Sequence, residues 1–421
     1  MRRRFALVRA GTRGPRAMGR APAFVLVLVA LGAAVPLRAQ SLLAANGLGV
    51  PVPPLDARAR ALGGIPTGLF GFDLSLGNPA DAADVRFRGG MASLQPFSRT
   101  DEVAGQRATT SGARFPLLRI VYPSGRLVYS LGFGGFLDQN WGITSTSTEQ
   151  FGSEADTVRD VARATGGVSQ LRAGASYLLS SHVALGAALG LYTGSVRREL
   201  TRTFPDAVNG DFQSFSSVTQ WGYRGLLASV GGRADVGSVL RVGGALTWSG
   251  TLKADSAVGA AVPKSYKLPL QAEFGASALL APTLALSAGA RWGGWSKTFG
   301  TPTSPSLPCP PAGCGPVANS RNTWDVGAGL EYGGVQSGYR HFPLRIGYHY
   351  SQLPFYQNGD VLPTEQAAAL GGGFRIGGNP GSPAAEVDGS LERGSRKGGP
   401  TATPLSESFW RITFSLAVFG I

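Results

Sequence analysis

The sequence predicts an all-β protein: a transmembrane antiparallel β-barrel of about fourteen strands whose lumen is plugged by an N-terminal hatch. Three observations lead there. Fourteen segments after Val85 carry strand signatures, most of them alternating apolar and polar with a period of two. The connections between them alternate short and long, the rhythm of tight periplasmic turns and longer outer loops. Only 15% of the 421 residues are charged, against about a quarter in a soluble chain.

The first element is residues 1–39. Eight arginines and no acidic residue lie there, with an apolar stretch from Ala21 to Val35 and Leu37-Arg38-Ala39 just before Gln40. That is the pattern of a signal peptide, with Met1 or Met18 as the start. Without those eight arginines the chain falls from +14 to +6, too modest for its size to argue for a nucleic-acid partner.

Residues 40–84 read differently from everything after them. Leu55 to Leu62 has room for about two helical turns before Gly63-Gly64 stops them, and Asn78-Pro79 marks a turn. This is the expected hatch. The barrel follows over 85–421, with strands at 85–97, 113–123, 126–137, 168–180, 182–196, 218–235, 238–252, 266–281, 283–299, 320–334, 341–352, 364–377, 383–393 and 407–421. In the ninth, Leu284, Leu286, Ala288, Ala290 and Trp292 oppose Ala285, Ser287, Gly289 and Arg291. In the last, Trp410, Ile412 and Phe414 oppose Arg411, Thr413 and Ser415. The sixth is the exception, because Leu226, Leu227 and Val230 do not keep one phase. The long polar stretches 98–112, 138–167, 197–217, 253–265, 300–319, 353–363 and 394–406 are expected as outer loops. All seven tryptophans fall near the outer rim, as an aromatic girdle would place them. A lumen of fourteen strands is too wide to be filled by inward side chains alone, so a plug is needed.

Three histidines and no spaced His/Cys/carboxylate cluster give no catalytic constellation, no metal site and no cofactor motif. Gly371-Gly372-Gly373 lies inside a strand, where it relieves crowding and cradles no phosphate. Cys309 and Cys314, the two cysteines, predict a local disulfide in an exported loop. Inward arginines, Arg172, Arg291 and Arg345 among them, are candidates to hold the carboxylate of an amphipathic ligand, with Phe70, Phe72 and Leu74 against its tail. The alternative is that inward charges simply pair along a solvated wall. Gly132, Gly134 and Gly135 crowd the third strand, where glycine favours a bulge or kink, or close packing against the hatch.

Ala59-Arg60-Ala61-Leu62-Gly63-Gly64 and Asn78-Pro79-Ala80 resemble the hatch of the long-chain fatty acid transporter family of outer-membrane barrels (FadL/OMPP1-like). Pro343-Leu344-Arg345-Ile346-Gly347-Tyr348 and Glu407-Ser408-Phe409-Trp410-Arg411-Ile412 resemble its closing strands. Ile65-Pro66 departs from the family's usual small residue. The resemblance implies passive uptake of a hydrophobic, fatty-acid-like small molecule in the outer membrane of a Gram-negative-type bacterium, among membrane lipids and lipopolysaccharide. It also implies a lateral opening at the third-strand kink. The rival reading is a barrel of the same family that docks secreted or surface proteins on its outer loops, 138–167 above all.

Overall fold

A computed structural model describes residues 41–71, 73–151, 154–205, 213–257 together with 258, 263–299, 319–333, 342–357, 359–377 and 384–420. The predicted signal peptide, Phe72, Cys309 and Cys314 lie outside them.

The wall consists of β1 (Gly89–Val103), β2 (Gln106–Ser124), β3 (Leu127–Asp138), β4 (Trp141–Phe151), β5 (Glu154–Leu178), β6 (Val183–Thr203), β7 (Phe215–Val236), β8 (Leu240–Ser249), β9 (Thr251–Val258), β10 (Lys264–Lys267), β11 (Gln271–Ala281), β12 (Leu284–Gly293), β13 (Thr323–Tyr332), β14 (Leu344–Gln352), β15 (Asp360–Ile376), β16 (Ala385–Pro400) and β17 (Leu405–Phe419). Three traverses are interrupted. β3 and β4 both pair with β5, β8 and β9 both with β7, and β10 and β11 pair with β9 and β8. Fourteen antiparallel traverses result, and the sheet closes where β1 meets β17, from Gly89↔Phe419 to Val103↔Leu405. Closure pairs the first strand with the last, as a lipid-exposed sheet requires of its terminal strands.

Alternation sets which face meets lipid. On β17, Trp410, Ile412 and Phe414 are 47%, 39% and 50% exposed, while Arg411, Thr413 and Ser415 between them are buried. The same holds on β8, where Val242, Leu246 and Trp248 face out and Arg241, Thr247 and Ser249 face in. β7 follows it as well: Leu226 and Val230 point outward, and Leu227 is buried in the lumen. Its mixed phase in the sequence has a physical origin. At that height the lumen is itself apolar, so both faces of the strand carry hydrophobic residues.

Two expectations need correction. Several long polar stretches are extensions of the strands beyond the bilayer rather than loops. Residues 98–112 form a β-hairpin that turns at Ala104-Gly105, both at positive φ, and 141–164 form another, from Trp141↔Ala164 to Phe151↔Glu154. Much of the buried face of these hairpins is itself polar or charged, with Arg99, Asp101, Asp156 and Asp160 turned inward, so the apolar–polar alternation disappears and periodicity cannot register the strand. The tryptophans also divide. Trp248, Trp324 and Trp410 face outward as a girdle should, but Trp141, Trp221 and Trp295 are buried in the lumen, where they join its apolar cluster. Their positions along the strands gave height, and height alone does not choose a face.

Residues 41–84 lie inside the barrel. Their single α-helix, α1 (Ala57–Ala61), is capped by Asp56, whose carboxylate accepts a 2.7 Å hydrogen bond from the Ala59 N–H. Gly63 and Gly64, with φ of 86° and 70°, end it. The wall facing this segment is paved with glycine. A Cβ on Gly329 would sit 2.7 Å from the Leu62 Cα, one on Gly289 would sit 2.9 Å from the Ile65 side chain, and one on Gly186 would meet the Pro79–Ala80 peptide at 2.5 Å. Inward glycines let the segment's backbone lie against the strands, and Gly371 does this beneath Ala61.

Candidate functional site

The segment is tied to the wall by buried polar contacts. Asn78 is 1% exposed. Its Nδ2 donates to Thr67 Oγ1 at 2.8 Å, to Asp81 Oδ1 at 3.1 Å and to the wall carbonyl of Gly232 at 3.0 Å, while its Oδ1 accepts from the Ala80 N–H at 2.9 Å. Pro79 opens a 3₁₀ turn, Pro79–Asp84, and its carbonyl accepts from Ser176 Oγ at 2.6 Å. Asp84 pairs with Arg233 at 2.6 Å and with Arg241 at 3.0 Å. At the other end of the segment, Arg58 of α1 pairs with Glu331 at 2.7 Å, Glu331 with Arg345 at 2.8 Å, and Arg345 with Asp388. Burial, with Asp73 next in effect, pushes the Asp56 carboxyl up to about 7.

A cavity of about 90 Å³ is lined by Pro51–Leu55 and Leu76 of the segment and by Phe136, Trp295 and Leu353 of the barrel. Arg60, Arg172, Glu273, Arg291, His349 and Arg411 ring it. Several of these groups already have partners: Arg291 pairs with Glu273 at 2.7 Å and Arg411 with Glu365 at 2.6 Å, and His349 Nε2 lies 3.2 Å from Glu365 Oε1. Arg172 is bound differently. Its Nη1 donates to the Leu76 carbonyl at 2.9 Å and its Nε to Gln170 Oε1 at 2.8 Å, and it forms no ion pair among the described residues. Burial lowers Arg60 to about 10, which leaves it charged at neutral pH. Arg60 Nε, Glu273 Oε2, His349 Nδ1 and Arg411 Nε are buried without a hydrogen-bond partner among the described residues.

Of the residues singled out in the sequence, Arg172 and Arg291 line this cavity and Arg345 does not, since its guanidinium is consumed by Glu331 and Asp388. Phe70 and Leu74 are also elsewhere. The Arg241 guanidinium lies 5.7 Å from the Phe70 ring centroid, and its Nη1 takes the carbonyls of Leu69 and Gly71 at 3.1 and 2.8 Å. Leu74 is packed with Leu76, Leu117 and Val121 against the wall. Hydrophobicity alone singled out these two, and it cannot tell a residue that lines a space from one that fills it. The apolar liners that sequence reasoning missed, Pro51 to Leu55, did carry a signal. Proline has no N–H and cannot extend a ladder, so Pro51-Val52-Pro53-Pro54 marks extended chain outside the sheet.

Beside the cavity the wall is discontinuous. β2 and β3 pair from Ser124↔Leu127 only as far as Leu117↔Gly134. Further out, the only wall strand that β2 pairs with is β1, and the only one that β3 and β4 pair with is β5. The β3–β5 register also shifts between Gly135 and Leu137. Val50–Pro51 of the N-terminal segment pairs with Asp138 and Leu137 along the freed edge of β3, and Arg114 reaches Asp138 across the seam at 3.7 Å. Gly134 and Gly135 sit at this break. A Cβ on Gly134 would lie 2.6 Å from Pro54, one on Gly135 would lie 2.9 Å from Val52, and one on Gly132 would collide with Leu76.

Comparison with solved structures finds this architecture again. A Pseudomonas aeruginosa FadL homologue aligns over 88% of this chain and 98% of its own, with a TM-score of 0.58 and 14% identity. The chain has the fold of the FadL-type barrels. The Ralstonia pickettii toluene transporter TbuX matches over 90% of this chain and 99% of its own at TM-score 0.51 and 18% identity. The P. putida toluene transporter TodX matches over 88% and 98% at 0.53 and 15%. No protein-family model matches the sequence, and no curated protein does. FadL-type barrels are outer-membrane proteins of Gram-negative bacteria, which accords with the apolar outward band.

Proposed function

We propose that this chain is a passive outer-membrane channel for apolar and amphipathic small molecules, which enter the lumen from outside and leave sideways through the seam between β2 and β3. The single observation that carries the reading is the end of the β2–β3 ladder at Leu117↔Gly134, directly beside the cavity. A water-filled axial pore would hand an apolar solute to the aqueous periplasm. A break in the wall lets it pass into the bilayer without crossing water, and burial of apolar area then drives release. That TodX and TbuX are toluene transporters with the same fold supports the class of cargo.

The cavity's about 90 Å³ is smaller than the roughly 150 Å³ that holds a benzene ring in an engineered core. Passage therefore requires Pro51–Leu55 to move, and residues 41–84 act as a displaceable hatch. For a cargo with an acid group, Arg172 and Arg60 are the anchoring cations, because neither forms an ion pair among the described residues while Arg291 and Arg411 already hold carboxylates. The test is uptake by porin-deficient cells expressing the chain. Toluene and octanoate should enter faster than in cells without it, and arabinose should not. Faster entry of arabinose than of toluene would overturn the reading.

A further inference from the structure

The outward face of the barrel carries a cluster of cations just beyond the apolar band. Arg224 on β7 and Lys253 on β9 are direct cross-strand neighbours, and Lys253 has Lys267 of β10 on its diagonal, since Thr251 pairs with Lys267. All three are exposed. Below them the same face is apolar, with Leu226 two residues along β7 and Trp248 near the end of β8. Like charges directly opposite one another repel across a ladder, and here only Asp255, 2.9 Å from Arg224, offsets them among the described residues. Elsewhere on the extended strands, Arg107 pairs with Glu102 at 3.1 Å and Arg163 with Glu199 at 3.1 Å.

From this placement we propose that Arg224, Lys253 and Lys267 form a binding site for the phosphate groups of lipid A in the outer leaflet. The height fits, because a cation two residues above a lipid-facing leucine stands at the headgroup layer, with its aliphatic stem along the apolar surface. The chemistry fits as well: Arg224 offers a planar fork to phosphate oxygens and the lysines offer point charges. Leu226 and Trp248 lie where the acyl chains of the same lipid would run. The site needs only a barrel set in the outer membrane, and it is independent of the transport reading.

The test is native mass spectrometry of the full-length barrel with hexa-acyl lipid A, beside the triple variant Arg224→Gln/Lys253→Gln/Lys267→Gln. With about 1 kcal/mol for each cation near an anionic surface, the variant should bind about 100-fold more weakly. Arg107→Gln, which removes an exposed and already paired arginine, should bind like the parent, and heat-modifiable migration should report all three proteins folded. Lipid A stripped of both phosphates should not distinguish parent from triple variant. Equal lipid A affinity in parent and triple variant would overturn the proposal. So would inorganic phosphate displacing lipid A at micromolar concentration, which would assign the site to a free anion.

Discussion

Replacing Asn78 with Ala should loosen the hatch while leaving the barrel closed. The side chain makes four hydrogen bonds in a site only 1% exposed. At about 1 kcal/mol net each, their removal costs about 4 kcal/mol. Only one of the four, to the Gly232 carbonyl, reaches the wall directly, and the wall's own ladder is untouched. Local opening of 73–85 should therefore become about 1000-fold more frequent. Hydrogen exchange reads this at the Asp81 and Val85 amides, which donate to Asn78 O at 3.3 Å and Ala82 O at 3.0 Å. Amides on β17 serve as the control. Acceleration below about tenfold at 81 and 85 would refute the reasoning, as would equal acceleration on β17.

Other outcomes follow from the same geometry. Leu189→Arg, on a 70% exposed outward position of β6, should cost about 2–4 kcal/mol in a urea folding assay, and Leu179→Arg beside the short turn about 0–1. Similar costs would mean the outward face does not meet lipid. Thiols at 144–150 should react with an impermeant reagent on intact cells, and a thiol at Ser124 should not; equal labelling would reverse or abolish the orientation. Gly134→Val should displace Pro54, because a Cβ there already lies 2.6 Å from it, and raise protease access to 50–55; unchanged access would mean the seam tolerates side chains. The Asp56 value of about 7 stands above the ordinary carboxyl, so its contribution to hatch docking is full below about pH 4 and lost as pH rises through 7. Exchange at 57–64, corrected for intrinsic rates, should accelerate between pH 5 and 8. Asp56→Asn, which keeps a capping side chain, should flatten that dependence.

How far the sequence could be read depended on whether a feature leaves a period. The outward leucines and tryptophans of β8 and β17 repeat every second residue because lipid and lumen alternate, so traverse number and face were legible. Beyond the bilayer the 141–164 hairpin buries Asp156 and Asp160 among its inward residues, so its sequence lacks the apolar–polar period and reads as loop. Trp141, Trp221 and Trp295 could not be assigned a face from height. The N-terminal segment was marked by its departure from alternation and by Gly63-Gly64 and Asn78-Pro79. The glycines that receive it, Gly186, Gly289 and Gly329, sit on separate strands and become a surface only when the barrel closes. Charge partners follow the same logic. That Arg345 belongs with Arg58, Glu331 and Asp388 while Arg172 meets no carboxylate among the described residues depends on register between distant strands. The end of the β2–β3 ladder likewise depends on which strand β4 joins.

The seam is the central claim, and closing it is the direct test. Cysteines replacing Arg114 and Asp138, whose charged ends approach to 3.7 Å across the break, can be joined by a short bis-methanethiosulfonate, which forms a disulfide to each thiol with loss of methanesulfinate, and released again by reduction. Toluene uptake should fall to the level of cells lacking the protein while the link is intact, and recover on reduction; uptake that persists through the linked barrel would contradict lateral release and send the cargo down the barrel axis.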